Sequence, residues 1–152
     1  MKNSSGKGQR NYLIVSNDGQ SRGLMSLAYF KKRVSELNLS ERVKVSLAGL
    51  VVNKGLKQDS QALQVLKKRN IPLSGFSVQA VNDQLLGKAD TLVAVSEEDY
   101  NYLRNTYSAV PSKVRILKVS PLIDGKEETY EKAFDKITAG LDQEFKSLAG
   151  KN

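Results

Sequence analysis

Four short apolar runs punctuate the chain, at residues 12–15, 43–47, 91–95 and 114–119, and each reads as a buried strand. Between them the pattern changes from runs to stripes. Leu24, Leu27, Ala28, Phe30 and Val34 recur at helical spacing, while Lys31, Lys32 and Arg33 fall largely on the opposite face. Ala62, Leu63, Val65 and Leu66 mark a second helix over 60–69, closed at Asn70 because Pro72 cannot continue it. Ser96 is a good N-cap for a third helix over 97–107, which has acidic residues in its first turn. A long fourth helix over 127–148 carries Tyr130, Phe134, Ile137, Leu141, Phe145 and Leu148 on one stripe. Strands alternating with helices predict an α/β fold of three layers: a four-stranded parallel sheet with helices on both faces. Loops fall at 17–21, 49–59, 70–82 and 120–126. The first, second and fourth follow strands, so they open at the carboxyl end of the sheet, where ligands bind in such folds.

Composition narrows the chemistry. The 152 residues contain no cysteine and no histidine. Disulfides, thiolate chemistry and the commonest general base and metal ligand are thereby removed. No apolar run approaches the roughly 20 residues that span a bilayer, and no cofactor or metal is expected. The expectation is a cytoplasmic protein with a disordered basic arm at residues 1–10 and one domain over 11–152. The net charge is +8 and is concentrated in the first half of the chain. A patch of Lys31, Lys32, Arg33, Lys67, Lys68 and Arg69, helped by the arm, would suit nucleic acid or an acidic protein. A solvated basic face is the plainer reading. The oligomeric state is left open, and Tyr100, Tyr102 and Tyr107 are noted as a surface that a partner or the core could use.

The most pointed chemistry lies after the first strand. Ser16, Asn17, Asp18, Gly19, Gln20, Ser21 and Arg22 form a polar loop leading into a helix. Such a loop offers backbone N–H groups and a positive helix end to an anion. An arginine closing it adds a bidentate grip on phosphate. Asp18 bears a negative charge that repels such a ligand, or satisfies loop N–H groups itself, with Arg22 as its ion-pair partner.

This run resembles the strand–CxxxxxR–helix signature of the low-molecular-weight protein tyrosine phosphatases. Met25 follows Arg22 at the family's spacing. Ala48-Gly49, Gly55, Asp59-Ser60, the stretch from Lys68 to Gly75, Lys88-Ala89-Asp90 with the strand after it, and Lys113 to Leu117 match further family motifs in order. The resemblance implies the family's phosphatase fold and a phosphate-binding loop. It also implies a lost reaction. Ser16 stands at the cysteine nucleophile, Ser120 of Ser120-Pro121 at the general-acid aspartate, Gly23 at the supporting serine, and Leu122-Ile123 at the flanking tyrosines. A serine hydroxyl needs a base to become a nucleophile, and an exposed aspartate is a poor one. Asp124 as a displaced acid is weighed against a turn aspartate, and the turn is favoured. The expected function is a catalytically silent binding or regulatory module with at most weak anion recognition, its partner a phosphorylated or acidic protein. A non-cysteine phosphatase using Ser16 and the nucleic-acid binder are the alternatives.

Overall fold

The innermost strand has apolar side chains on both faces, as a strand covered by helices on each side must. In the computed structural model, Tyr12 and Ile14 of β1 (Arg10–Ser16) point into one core and Leu13 and Val15 into a second. The structure describes residues 9–17, 19–52, 58–73, 77–122 and 124–149. Most of the basic arm, together with Asp18, Gly55 and Ile123, lies outside them.

After β1 come α1 (Arg22–Glu36), β2 (Val43–Gly49), α2 (Ser60–Lys68), β3 (Val78–Ala80), α3 (Asp83–Lys88), β4 (Thr91–Ala94), α4 (Glu97–Thr106), β5 (Val114–Ile116) and α5 (Glu127–Ala149). All strand pairs are parallel, in the order β3-β2-β1-β4-β5. The larger core joins β1 and β2 to α1, α2 and α5, and the smaller joins β1 and β4 to α3 and α4. Three layers result. Tyr12, Tyr29, Phe30, Phe134 and Phe145 form a chain of tilted and edge-on ring contacts that locks α5 over α1.

The sheet has five strands, not the expected four. The extra one, β3, is a three-residue edge strand with two exposed residues, inside the interval read as a loop. It is too short to carry a period. The six-residue α3 escapes the pattern for the same reason. The fourth predicted strand ends at Ile116, not residue 119. Lys118 takes a left-handed φ of 60°, so the N–H groups of Leu117 and Val119 still donate to Ala94 and Val95, but with one residue bulged out between them. Asn38 and Asn70, each at φ 57°, end α1 and α2 as left-handed caps.

The chain leaves β1 toward β2 on one side and later returns to β1's other edge as β4. The loops after β1 and β4 therefore diverge at the carboxyl end of the sheet, and the crevice between them is where open α/β sheets place ligands.

Candidate functional site

Ser16 ends β1 opposite Gly49 of β2. The chain then turns through residues 17–21 into α1. Gly19 has φ +78°, and a Cβ there would stand 2.6 Å from Val78, so the turn needs glycine.

Hydrogen bonding fixes which way the loop faces. The carbonyls of Ser16, Asn17 and Gln20 accept from the N–H groups of Leu50, Val51 and Asp59, at 3.1, 2.9 and 3.1 Å. The segment after β2 thus takes up the loop's carbonyls. In a trans peptide the N–H points opposite its carbonyl, so the N–H groups of Asn17 and Ser21 face away from that segment.

The first turn of α1 is also open. Ser21 is its N-cap but makes no capping bond to the helix. Its hydroxyl donates instead to Asp59, at 2.7 Å. By contrast α2, α3 and α4 are each capped, by Asp59, Asn82 and Ser96. The positive end of α1 is therefore unmasked.

Asp59 is the most heavily engaged group here. It accepts from Ser21, from the Tyr130 hydroxyl at 2.5 Å and from the Gln61 N–H at 2.9 Å. Burial pushes its carboxyl upward, but these donors prevail and hold it below the ordinary carboxylate range. Tyr130, partly buried beside that carboxylate, is pushed up to about 12.

Arg22 reaches across the crevice, where its Nη1 donates to the Val119 carbonyl at 2.6 Å. The bulge at Lys118 sets that carbonyl in place. Ser16, Asn17, Ser21, Arg22, Asp59, Pro121, Leu122 and Tyr130 line a cavity of about 180 Å³. Three of the loops read from the sequence converge there.

The would-be nucleophile is sealed. Ser16 is 2% exposed, and its Oγ has no hydrogen-bond partner among the described residues. It lies under the first turn of α1: a Cβ on Gly23 would stand 2.3 Å from it. No described residue accepts a hydrogen bond from the hydroxyl.

Of the other sequence-derived residues, Gly19 packs against Val78 rather than into the cavity. Gln20 contributes its carbonyl to Asp59, and Ser120 is exposed beside the lining residues Pro121 and Leu122. Asp18, and with it the Asp18–Arg22 pair, lies outside the described residues. Asp124 accepts from the Lys126 N–H and the Thr129 hydroxyl, as a turn aspartate does. In the basic patch, Lys32 and Arg33 pair with Glu36, Lys68 with Glu127, and Arg69 with Glu131 and Asp135. Tyr102 is 48% exposed, whereas Tyr100 and Tyr107 pack on the smaller core. No described helix is long and apolar enough to cross a membrane.

Sequence reasoning missed three residues. Asp59 looked like a helix opener and Tyr130 like part of a core stripe. Asp99 looked like one of several first-turn acids on α4. It is 5% exposed, with one carboxylate oxygen unpartnered among the described residues. Only the fold brings Asp59 and Tyr130 together, from positions 71 residues apart.

Comparison with known proteins agrees with this fold. Residues 11–152 match the family described as low molecular weight phosphotyrosine protein phosphatase. A crystal structure of a YwlE mutant from Bacillus subtilis superposes with a TM-score of 0.81 at 22% identity, over 92% of this chain and 99% of that one. A cysteine-to-serine variant of the YwlE arginine phosphatase, carrying a phosphorylated active-site serine, gives 0.82 at 21% identity, over 93% and 97%. A low molecular weight protein tyrosine phosphatase from T. tengcongensis gives 0.81 at 20%, over 91% and 99%. No characterised protein matches by sequence alone.

Proposed function

Because this chain belongs to the low molecular weight phosphotyrosine protein phosphatase family, we propose that it is a member that binds an anionic group without hydrolysing it. The cavity at residues 16–22 receives that group from a phosphorylated or acidic partner protein. The single observation that carries the reading is the loop's orientation. The carbonyls of Ser16, Asn17 and Gln20 are taken up by the segment after β2, which turns the N–H groups of Asn17 and Ser21 away from it, beside a serine hydroxyl with no hydrogen-bond partner among the described residues.

The loop amides and the open end of α1 supply the attraction, and Arg22 adds the cationic side chain. Ser16 is a poor nucleophile, because no described residue takes its proton. Asp59 does not replace a base. Its three donors stabilise the carboxylate and lower its affinity for a proton. The ion pairs of Lys32, Arg33, Lys68 and Arg69 argue against nucleic acid as the partner, since their charge is matched within the protein. The reading extends to a cytoplasmic location, which suits a chain with no cysteine for disulfides.

The test is p-nitrophenyl phosphate turnover by the purified protein and by Arg22→Ala, with intact mass followed in the same samples. The expected result is no turnover above background in either protein and no stable phosphoryl adduct. Turnover that disappears in Arg22→Ala would overturn the silent reading. A phosphoryl group retained on Ser16 would turn it into a phosphoryl acceptor.

A further inference from the structure

All strands run in the same direction, so their amino ends gather along one edge of the sheet, opposite the loop of residues 16–22. Arg42 and Lys44 of β2, Arg10 of β1, Lys88 ahead of β4 and Lys113 ahead of β5 follow one another along that edge in strand order. The backbone ties them together. The Arg10 N–H donates to the Arg42 carbonyl at 2.7 Å, and the Leu92 N–H to the Lys113 carbonyl at 2.9 Å. Asn11, opposite Lys44 in the register, donates through Nδ2 to the Lys88 carbonyl at 3.4 Å.

This row of cations lacks internal partners. Arg42, Lys44, Lys88 and Lys113 are exposed and Arg10 is half-buried. None of them forms an ion pair among the described residues. Lys44 Nζ donates to the Ser40 carbonyl at 3.3 Å. Of the carboxylates nearby, Asp90 accepts from the Asn11 N–H at 2.7 Å, and Glu41 adjoins Arg42 in sequence without pairing with it. The patch read from the sequence on α1 and α2 is the reverse case, since Lys32, Arg33, Lys68 and Arg69 are matched within the protein.

Unpaired surface charge alone is a solvated face. Here it surrounds a cavity. Lys44 and Ser46 alternate with Val45 along β2 and share a face with Leu13, which Ser46 opposes in the register. On that face Leu13, Val45, Leu85 and Ala89, with Lys44 and Lys88, line a hollow of about 250 Å³. An apolar floor flanked by two unmatched ammonium groups suits one apolar side chain with carboxylates beside it. Nucleic acid fits less well. It would leave the apolar floor unused, and the exposed large apolar residues Val51 and Tyr102 lie outside this row, so no ring is set there to stack a base.

We propose that the amino-terminal edge of the sheet docks an acidic segment of a partner protein, which buries one large apolar side chain in the cavity between Lys44 and Lys88. The surface stands at the opposite end of the strands from Arg22 and does not depend on the anion loop. Charge complementarity steers the segment to the row, and the apolar anchor fixes where on the row it sits.

The test uses a fluorescent peptide of glutamates around a central phenylalanine, the same peptide with serine in place of phenylalanine, and an oligothymidylate of equal charge. Wild type is expected to bind the phenylalanine peptide about tenfold more tightly than the serine peptide, the gain from burying the ring. Lys44→Glu combined with Lys88→Glu is expected to weaken the phenylalanine peptide about tenfold or more. Lys31→Glu with Lys67→Glu, on the faces of α1 and α2, and Arg22→Ala should leave it unchanged. Backbone amide shifts in wild type should concentrate at Leu13, Val45, Leu85 and Ala89.

Equal affinity for the two peptides would overturn the proposal, because the cavity would then contribute nothing. So would tighter binding of the oligothymidylate, an equal loss in the Lys31 and Lys67 control, or no peptide binding at low salt. A peptide lost from Arg22→Ala but retained by the Lys44 and Lys88 reversal occupies the anion loop instead, which would sink this surface and leave that loop's reading standing.

Discussion

Asp59 and Asp99 flank the same loop, one after β2 and one after β4, and their surroundings are opposite. Asp59 accepts three hydrogen bonds and is lowered. Asp99 is more deeply buried, keeps one oxygen without a partner and is raised. The same functional group thus does two jobs. Asp59 is a structural knot that joins the end of the loop, the start of α2 and the start of α5. Asp99 is a stressed charge whose first support is the Ser96 cap, too little to offset its burial. The difference shows that the balance of donors against burial decides whether a carboxylate stabilises this end of the sheet.

The largest expected effect is on the knot. Asp59→Ala removes the acceptor shared by Ser21, Tyr130 and Gln61. It should cost about 2–3 kcal/mol, at the low end for three bonds because the group is partly exposed. Urea denaturation reads it as a fall in midpoint at unchanged slope.

Tyr130→Phe sharpens the same side, with an expected loss of about 1 kcal/mol. The Asp59 pKa should rise toward its ordinary value, which a carboxyl NMR titration follows. The sign for Asp59 is that of a lowered group. Its contribution is present above its unfolded pKa and is lost as pH falls through the lowered folded value. Asp59→Asn should therefore flatten the acid limb of stability against pH.

Asp99→Asn tests the opposite pole. A raised carboxyl favours the folded state only where it is protonated, below its unfolded pKa, and that contribution is lost as pH rises through the folded value. The neutral variant should accordingly be more stable than wild type at neutral pH, by about 1 kcal/mol. The advantage should vanish in acid, as thermal melts across pH would show.

Most of the fold was legible because strands 10–16 and 43–49 are long and apolar and the helical stripes are strong. Residues 78–80 and 83–88 were not, since three or six residues carry no period and tertiary pairing alone orders them. At the site, the loop and Arg22 stood out by residue type and spacing. Asp59, Tyr130 and Asp99 did not, because their roles depend on what the fold sets beside them. A first-turn aspartate reads identically whether it lies in solvent or is buried with one oxygen unpartnered.

Arg22→Gln is the smallest stability change, about 0.5–1 kcal/mol from the lost bond to Val119. It should nonetheless raise the Asp99 pKa further, since that cation is one of the groups favouring its ionisation.

The central claim is that the loop of residues 16–22 still receives an anion although its chemistry is gone. Backbone amide NMR during a sulfate titration tests it most directly. The account predicts saturable shifts concentrated at the N–H groups of Asn17, Ser21 and the first turn of α1, absent in Arg22→Ala. Shifts that are missing there, or spread over the lysine-rich faces of α1 and α2, would contradict it.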